Sequence, residues 1–182
     1  MSQVRHLEMP AFEAALDVIR SSPKDAGRVE LIVRRPAVDQ REVLSEAVLD
    51  RDDGLVGDSW RARGSGSPHP DRQLTLMNSR VVSLLAGSND RWELAGDQLF
   101  VDLDLGVENL PPGTMLEIGT AVIQVTAEPH RGCKKFEARY GKDAFKFVNS
   151  DVGRELNLRG INTKVVVSGV VRPSEVIRKR LG

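Results

Sequence analysis

The stretch 96-GDQLFVDLDLGVENLPPGTMLEIGTAVIQVTAE-128 decides the fold. It carries three short apolar runs, 99–105, 115–118 and 121–126, separated by Gly, Asn and Pro. Val, Ile and aromatic residues suit a pleated surface, whereas Gly and Pro interrupt it. Between the last two runs stands only Gly119-Thr120, which predicts a tight hairpin. Short strands at such spacing predict a barrel or sandwich.

Working outward, the same character extends in both directions. The segment 28-RVELIVRR-35 reads as a strand stopped by Pro36. In 41-REVLSEAVLD-50, Val43, Leu44, Ala47 and Val48 would suit a helix, but its place after a strand and a turn favours another strand. Two glycines and three aspartates make 51-RDDGLVGDSW-60 a turn-rich loop, and 61-RARGSGSPHP-70 continues as a Gly/Ser/Pro loop. In 73-QLTLMNSRVVSLLAG-87 a strand through Leu74 and Leu76 gives way to a helix. Asn78 or Ser79 caps that helix, Val81, Val82 and Leu85 form its apolar face, and Gly87 stops it. Downstream, 142-KDAFKFVNS-150 and 151-DVGRELN-157 predict short helices, with Asp151 capping the second. The segment 164-KVVVSGVV-171 predicts one strand, and Arg172, Arg178, Lys179 and Arg180 mark a solvated basic tail. At the front, Phe12, Leu16 and Ile19 recur at helical spacing over 10–20, between Pro10 and Ser21-Ser22-Pro23. The outline is a mostly β core, barrel or sandwich, with several short helices filling gaps and an N-terminal helix ahead of it.

Composition removes several functions. With 40% apolar and 29% charged residues, the 182-residue chain is that of a globular protein with one core. Its formal net charge of zero offers no electrostatic case for nucleic acid or an anionic membrane. No apolar run approaches the ~18 residues a membrane span needs. Arg5, His6 and Glu8 interrupt any secretory core in MSQVRHLEMPAFEAAL. The single cysteine rules out an internal disulfide, and a reducing cytoplasm is the expected compartment. No Cys/His spacing suits a structural zinc, and His6, His69 and His130 are scattered.

That cysteine, Cys133, lies in 127-AEPHRGCKKFEARYG-141 among Arg131, Lys134, Lys135 and His130. Nearby cations, together with a helix starting near Phe136, favour a thiolate over a thiol. A thiolate serves as a nucleophile, a sulfur carrier or a soft metal ligand. Against this stands the ordinary use of a lone cysteine as a small buried hydrophobe, and of a histidine after proline as a turn residue.

The segments 128-EPHRGCKKFEARYGKDAFKFVNS-150 and 159-RGINTKVVV-167 resemble the MOSC domain, the family named for the C-terminal domain of eukaryotic molybdenum cofactor sulfurases. Earlier blocks, 54-GLVGD-58, 71-DRQLTLMNSRV-81 and 96-GDQL-99, resemble it too, so the likeness runs from Gly27 to Lys179. It is most similar to the small stand-alone bacterial members. The resemblance implies a closed or nearly closed β-barrel like that of pyruvate kinase, with the cysteine in a cleft. The fold class expected is then a mostly β barrel with several short helices and an N-terminal helix, residues 1–26 forming a helical extension and 27–182 the barrel domain. Cys133 matches the cysteine that holds sulfur or binds the molybdenum of a pterin cofactor, and Arg159 matches the family's Arg-Gly. Arginine's planar fork suits a cofactor phosphate, so Arg159, Arg72 and Lys134 are candidate anion contacts; surface ion pairing is the alternative for each. Asp97 and Asp58 are candidates for a pterin amine, with turn stabilisation as the alternative. Where family members carry Gly-Asp before the last valine, this chain has 172-RPSEVIRKR-180, which puts the last strand pairing in question.

Three functions compete on these grounds. One is a molybdenum-cofactor-binding protein, with Cys133 as metal ligand and His130 beside it, reducing N-hydroxylated compounds with electrons from a redox partner protein. Another is a sulfur carrier with a persulfide on Cys133, loaded by a cysteine desulfurase, since no lysine here is assignable to pyridoxal phosphate. The third is a non-catalytic binding module that uses the helix of Phe12, Leu16 and Ile19.

Overall fold

The computed structural model describes residues 6–62 and 66–180. Eleven strands are described: β1 (Ala26–Arg34), β2 (Glu42–Val43), β3 (Ala47–Asp50), β4 (Gly54–Leu55), β5 (Leu74–Asn78), β6 (Leu99–Asp102), β7 (Met115–Ile118), β8 (Ala121–Val125), β9 (Ile161–Val167), β10 (Gly169–Val171) and β11 (Val176–Lys179). Seven close into a mixed barrel in the order β11-β7-β8-β9-β5-β6-β1, sealed by β1 against β11. All its pairs are antiparallel except β5–β6. The short β2 extends β1, and β10, β3 and β4 form a separate three-stranded sheet.

Six helices accompany the strands: α1 (Met9–Ala14), α2 (Leu16–Arg20), α3 (Ser79–Ala86), α4 (Lys134–Tyr140), α5 (Lys142–Asn149) and α6 (Asp151–Glu155). A parallel pair needs a crossover; here α3 and a 3₁₀ turn over Asn89–Ala95 carry the chain from β5 to β6. Leu74, Leu76, Leu99 and Val101 join the barrel interior, while Met77 and Phe100 turn outward beneath the helices. That second core contains Phe12, Val81, Val82, Trp92, Phe136, Tyr140 and Phe147. Both faces of β5 and β6 are therefore covered, which explains why all five residues of β5 are buried. The N-terminal helix belongs to this layer: the Phe12 and Phe147 rings stack at 5.1 Å.

Several expectations need correction. The helix over 10–20 breaks at Ala15 into α1 and α2. The strand over 41–50 is two pieces around a bend, and β4 lies inside the stretch expected as a loop. Residues 63–65 of the expected 61–70 loop lie outside the described residues, as do 1–5 and 181–182. Asn78 caps α3 by accepting from the amides of Arg80 (2.8 Å) and Val81 (3.4 Å). Ser150, not Asp151, caps α6 through its hydroxyl on the Gly153 amide. The strand at 164–171 is two strands in different sheets, separated at Ser168. The basic segment is no frayed tail: β11 pairs with β1 on one side and β7 on the other, with Ile177 fully buried.

Candidate functional site

Ile161, Leu76, Leu99 and Ile32 form one row of paired residues across β9, β5, β6 and β1. The residues that flank this row build a site. Arg159 precedes β9, Asp97 precedes β6, and Arg35 follows β1. Arg159 is set by the next residue. Gly160 has φ +106°, and a Cβ there would stand 2.2 Å from the Leu76 carbonyl oxygen, so only glycine fits.

Asp97 is completely buried and receives Arg159 Nη1 at 2.6 Å on Oδ2 and His130 Nε2 at 2.9 Å on Oδ1. Burial alone would raise its pKa, but the Arg159 charge and the His130 hydrogen bond outweigh that and bring it to about 2. An ionised carboxylate only accepts, so Nε2 of His130 is the donor in this pair. Burial, then the Arg159 charge, pushes the His130 pKa down. Arg159 also donates to the Ala95 carbonyl at 3.0 Å and lies 5.0 Å over the Phe136 ring. Its buried Nε has no hydrogen-bond partner among the described residues.

A second buried pair lies beside the first. Arg35 clamps Asp58 with Nε–Oδ1 at 2.9 Å and Nη2–Oδ2 at 2.8 Å, and donates to the Gly96 carbonyl at 2.7 Å. Asp58 also accepts from the backbone amides of Arg35 and Trp60.

In front of these pairs opens a cleft of about 350 Å³, with Cys133 exposed on its lining. Cys133 is the residue before α4, and its carbonyl accepts from the Glu137 amide at 3.0 Å. The helix thus begins at Lys134, two residues earlier than expected. Arg35, Arg41, Lys135, Arg139 and Arg159 line the same cleft. Asp39 is the carboxylate on this lining and bonds Arg139 at 3.3 Å. Arg41 is held on the carbonyls of Gln40 (2.7 Å) and Glu93 (3.3 Å). Burial, then its neighbours Arg139 and Arg35, lowers its pKa, while Asp39 and Glu93 act the other way.

The structure therefore brings together Cys133, His130, Arg159 and Asp97, with Asp58 behind Arg35. Lys134 instead pairs with Glu137 at 2.8 Å and lies 5.7 Å from the Phe145 ring centre. Arg72 forms a forked pair with Glu128 at 2.9 and 2.7 Å, away from the cleft lining. Of the cations adjacent to Cys133 in sequence, Lys135 shares its cleft, while Arg131 lines a different cavity. Sequence reasoning missed Arg35, Arg41 and Arg139. The one local signal was Arg34-Arg35-Pro36, two cations at the end of a strand.

Among the described residues no group of three His, Cys, Asp or Glu side chains is arranged to hold a metal ion. No helix among them is long and apolar enough to cross a membrane.

A closed mixed seven-stranded barrel with flanking short helices defines the class: this is the fold of MOSC-domain proteins. Among solved structures, it matches the YuaD protein of Bacillus subtilis with a TM-score of 0.61 at 19% identity, over 84% of this chain and 94% of that one. YiiM from Escherichia coli matches with a TM-score of 0.53 at 21% identity, over 85% and 70%. YiiM from Geobacillus stearothermophilus matches with a TM-score of 0.53 at 14% identity, over 85% and 73%. No family profile and no curated protein sequence matches the chain.

Proposed function

We propose that this chain binds molybdenum cofactor, with Cys133 as its ligand to the metal, and that it reduces N-hydroxylated compounds with electrons from a redox partner protein. One observation carries the reading: the chain's only thiol is exposed on a cleft lined by four arginines and a lysine. A single sulfur with no clustered side-chain ligands among the described residues does not suit a bare ion. It suits a metal that arrives already ligated and needs one more soft donor. The cationic lining suits a cofactor that carries a phosphate. The unpartnered Nε of Arg159 is a further buried donor beside the cleft.

In this reading each side chain has a task. Cys133 offers the sulfur, and Arg41, Arg139 and Lys135 attract the anion. Arg159 and Arg35 stay fixed because Asp97 and Asp58 hold them. His130, tied through Nε2, keeps Nδ1 for proton exchange with a ligand. When bound, the cofactor supplies the redox chemistry. The lone free thiol suits a reducing cytoplasm.

The test is retention of metal. Reduced protein is incubated with the cofactor without oxygen, desalted, and assayed for molybdenum and phosphorus, with Cys133→Ser alongside. Wild type should retain both elements and the variant should lose the molybdenum. No molybdenum in either protein overturns the reading; a persulfide found on Cys133 after treatment with a cysteine desulfurase would then support a sulfur carrier.

A further inference from the structure

His130 lines a second cavity. It measures about 460 Å³ and lies beside the end of the barrel where β8 leaves and β9 begins. Val107, Leu110, Pro112, Val125 and Ile161 contribute apolar walls. Leu110, Val125 and Ile161 are themselves members of the barrel core, so the cavity reaches to the edge of that core. This volume lies within the range of about 300–1,000 Å³ that small-molecule sites occupy.

The polar part of the lining has a sign. Arg131 and Arg154 are exposed, and among the described residues neither side chain has a carboxylate or carbonyl partner. Of the two glutamates present, Glu128 is held by Arg72 at 2.7 Å and faces His69 at 3.7 Å. Glu155, exposed, also borders a small polar recess nearby. With Glu128 held by Arg72, the charged side chains left on the lining are Arg131, Arg154 and Glu155, so the charge that remains is positive.

His130 joins the two spaces. It is partly buried, its Nε2 is fixed on Asp97, and it lines both this cavity and the Cys133 cleft. A ligand in the cavity would therefore meet the same imidazole that borders the thiol.

We propose that this cavity is the substrate pocket, taking a small molecule with an apolar body and one anionic group, its reacting end toward His130; the word substrate rests on reading the Cys133 cleft as the cofactor site. The apolar body displaces water from Val107, Leu110 and Ile161. The anionic group is held by Arg131 and Arg154.

The probe is 8-anilinonaphthalene-1-sulfonate, followed by fluorescence titration of the full chain, with N-phenyl-1-naphthylamine as its uncharged counterpart. The sulfonate should bind saturably at one site and about tenfold more tightly than the uncharged probe. Val107 lines the cavity, is 49% exposed and lies outside the buried core, so Val107→Trp adds bulk to the cavity wall and should abolish binding of both probes. The double variant Arg131→Gln/Arg154→Gln should weaken the sulfonate alone. Binding should shift the His130 ring resonances, identified by their absence in His130→Gln. Saturable binding that survives Val107→Trp, or that leaves His130 unmoved, overturns the proposal. Equal loss of both probes in the double arginine variant overturns its anionic part. Cys133→Ser should bind the probe normally, so a failure of metal retention and a failure of this pocket are read separately.

Discussion

At the scale of the residue, the Asp97–Arg159–His130 cluster sets a pH dependence. His130 has its pKa lowered by burial and by the Arg159 charge, from an ordinary value of 6.5. Below that value the unfolded chain takes up a proton that the folded chain resists, so acidification favours unfolding. The stability contributed by the neutral imidazole is present above pH 6.5 and is lost as pH falls toward the folded value. Asp97 adds a second loss at lower pH: its ionised form stabilises the fold above about 4 and the benefit disappears toward 2. Urea unfolding at pH 7 and pH 5 should show a marked loss of stability in wild type and a smaller loss in His130→Gln. An equal drop in both would mean that His130 does not carry the effect. Cys133 and His130 were legible as candidates because a lone cysteine near a histidine stands out locally, whereas Arg159 was reached through the resemblance to the family's Arg-Gly and Asp97 only as an aspartate after a glycine in a loop. Arg41 and Arg139 were not, since the cleft recruits them from separate segments and neither has a local signature. Lys134 and Arg72, which pair with Glu137 and Glu128, show the converse: proximity in sequence and positive charge say nothing about which way a side chain leaves the backbone.

At the scale of the element, Asn78 connects three parts of the molecule. Its oxygen caps α3, while its amide nitrogen donates to Ser22 Oγ at 2.9 Å and to the Leu103 carbonyl at 2.8 Å. Asn78→Ala removes a cap and leaves buried acceptors unsatisfied, which should cost roughly 2–4 kcal/mol in urea unfolding. A cost below about 1 kcal/mol would show that water replaces these bonds. The boundaries of α3 were readable because Asn78 and Gly87 mark both ends chemically. The end of β9 was harder to place: Ser168 and Gly169 sit within an apolar run, and only the pairing of β10 with β3 separates the two strands. Asp151 looked like a cap by residue type, yet Ser150, one position earlier, has the extended backbone that a capping residue needs.

At the scale of the whole molecule, closure depends on β11. Ile177 is the buried member of Val176–Lys179, while Arg178 points to solvent. Ile177→Ala should therefore cost roughly 2–5 kcal/mol, whereas Arg178→Ala should stay within about 0.5 kcal/mol. Denaturant midpoints of the two variants would check this, and equal effects would deny that the strand seals the barrel. The strand spacing in 96–128 left a barrel or a sandwich open, and the resemblance to the MOSC domain chose the barrel. Its last strand was not, because a segment with one inward side chain among charges has the same composition as a solvated tail.

The pairing of β1 with β11 also governs how the molecule is made. Of the barrel strands described, the first to leave the ribosome hydrogen-bonds to the last. Until β11 is released, β1 presents an open edge and the ring cannot form. Such distant pairing carries a high loop-closure cost and slows folding. Chain synthesis, rather than local strand formation, thus determines when this barrel first becomes a closed object, and the nascent chain must keep an exposed sheet edge out of reach of its neighbours until then.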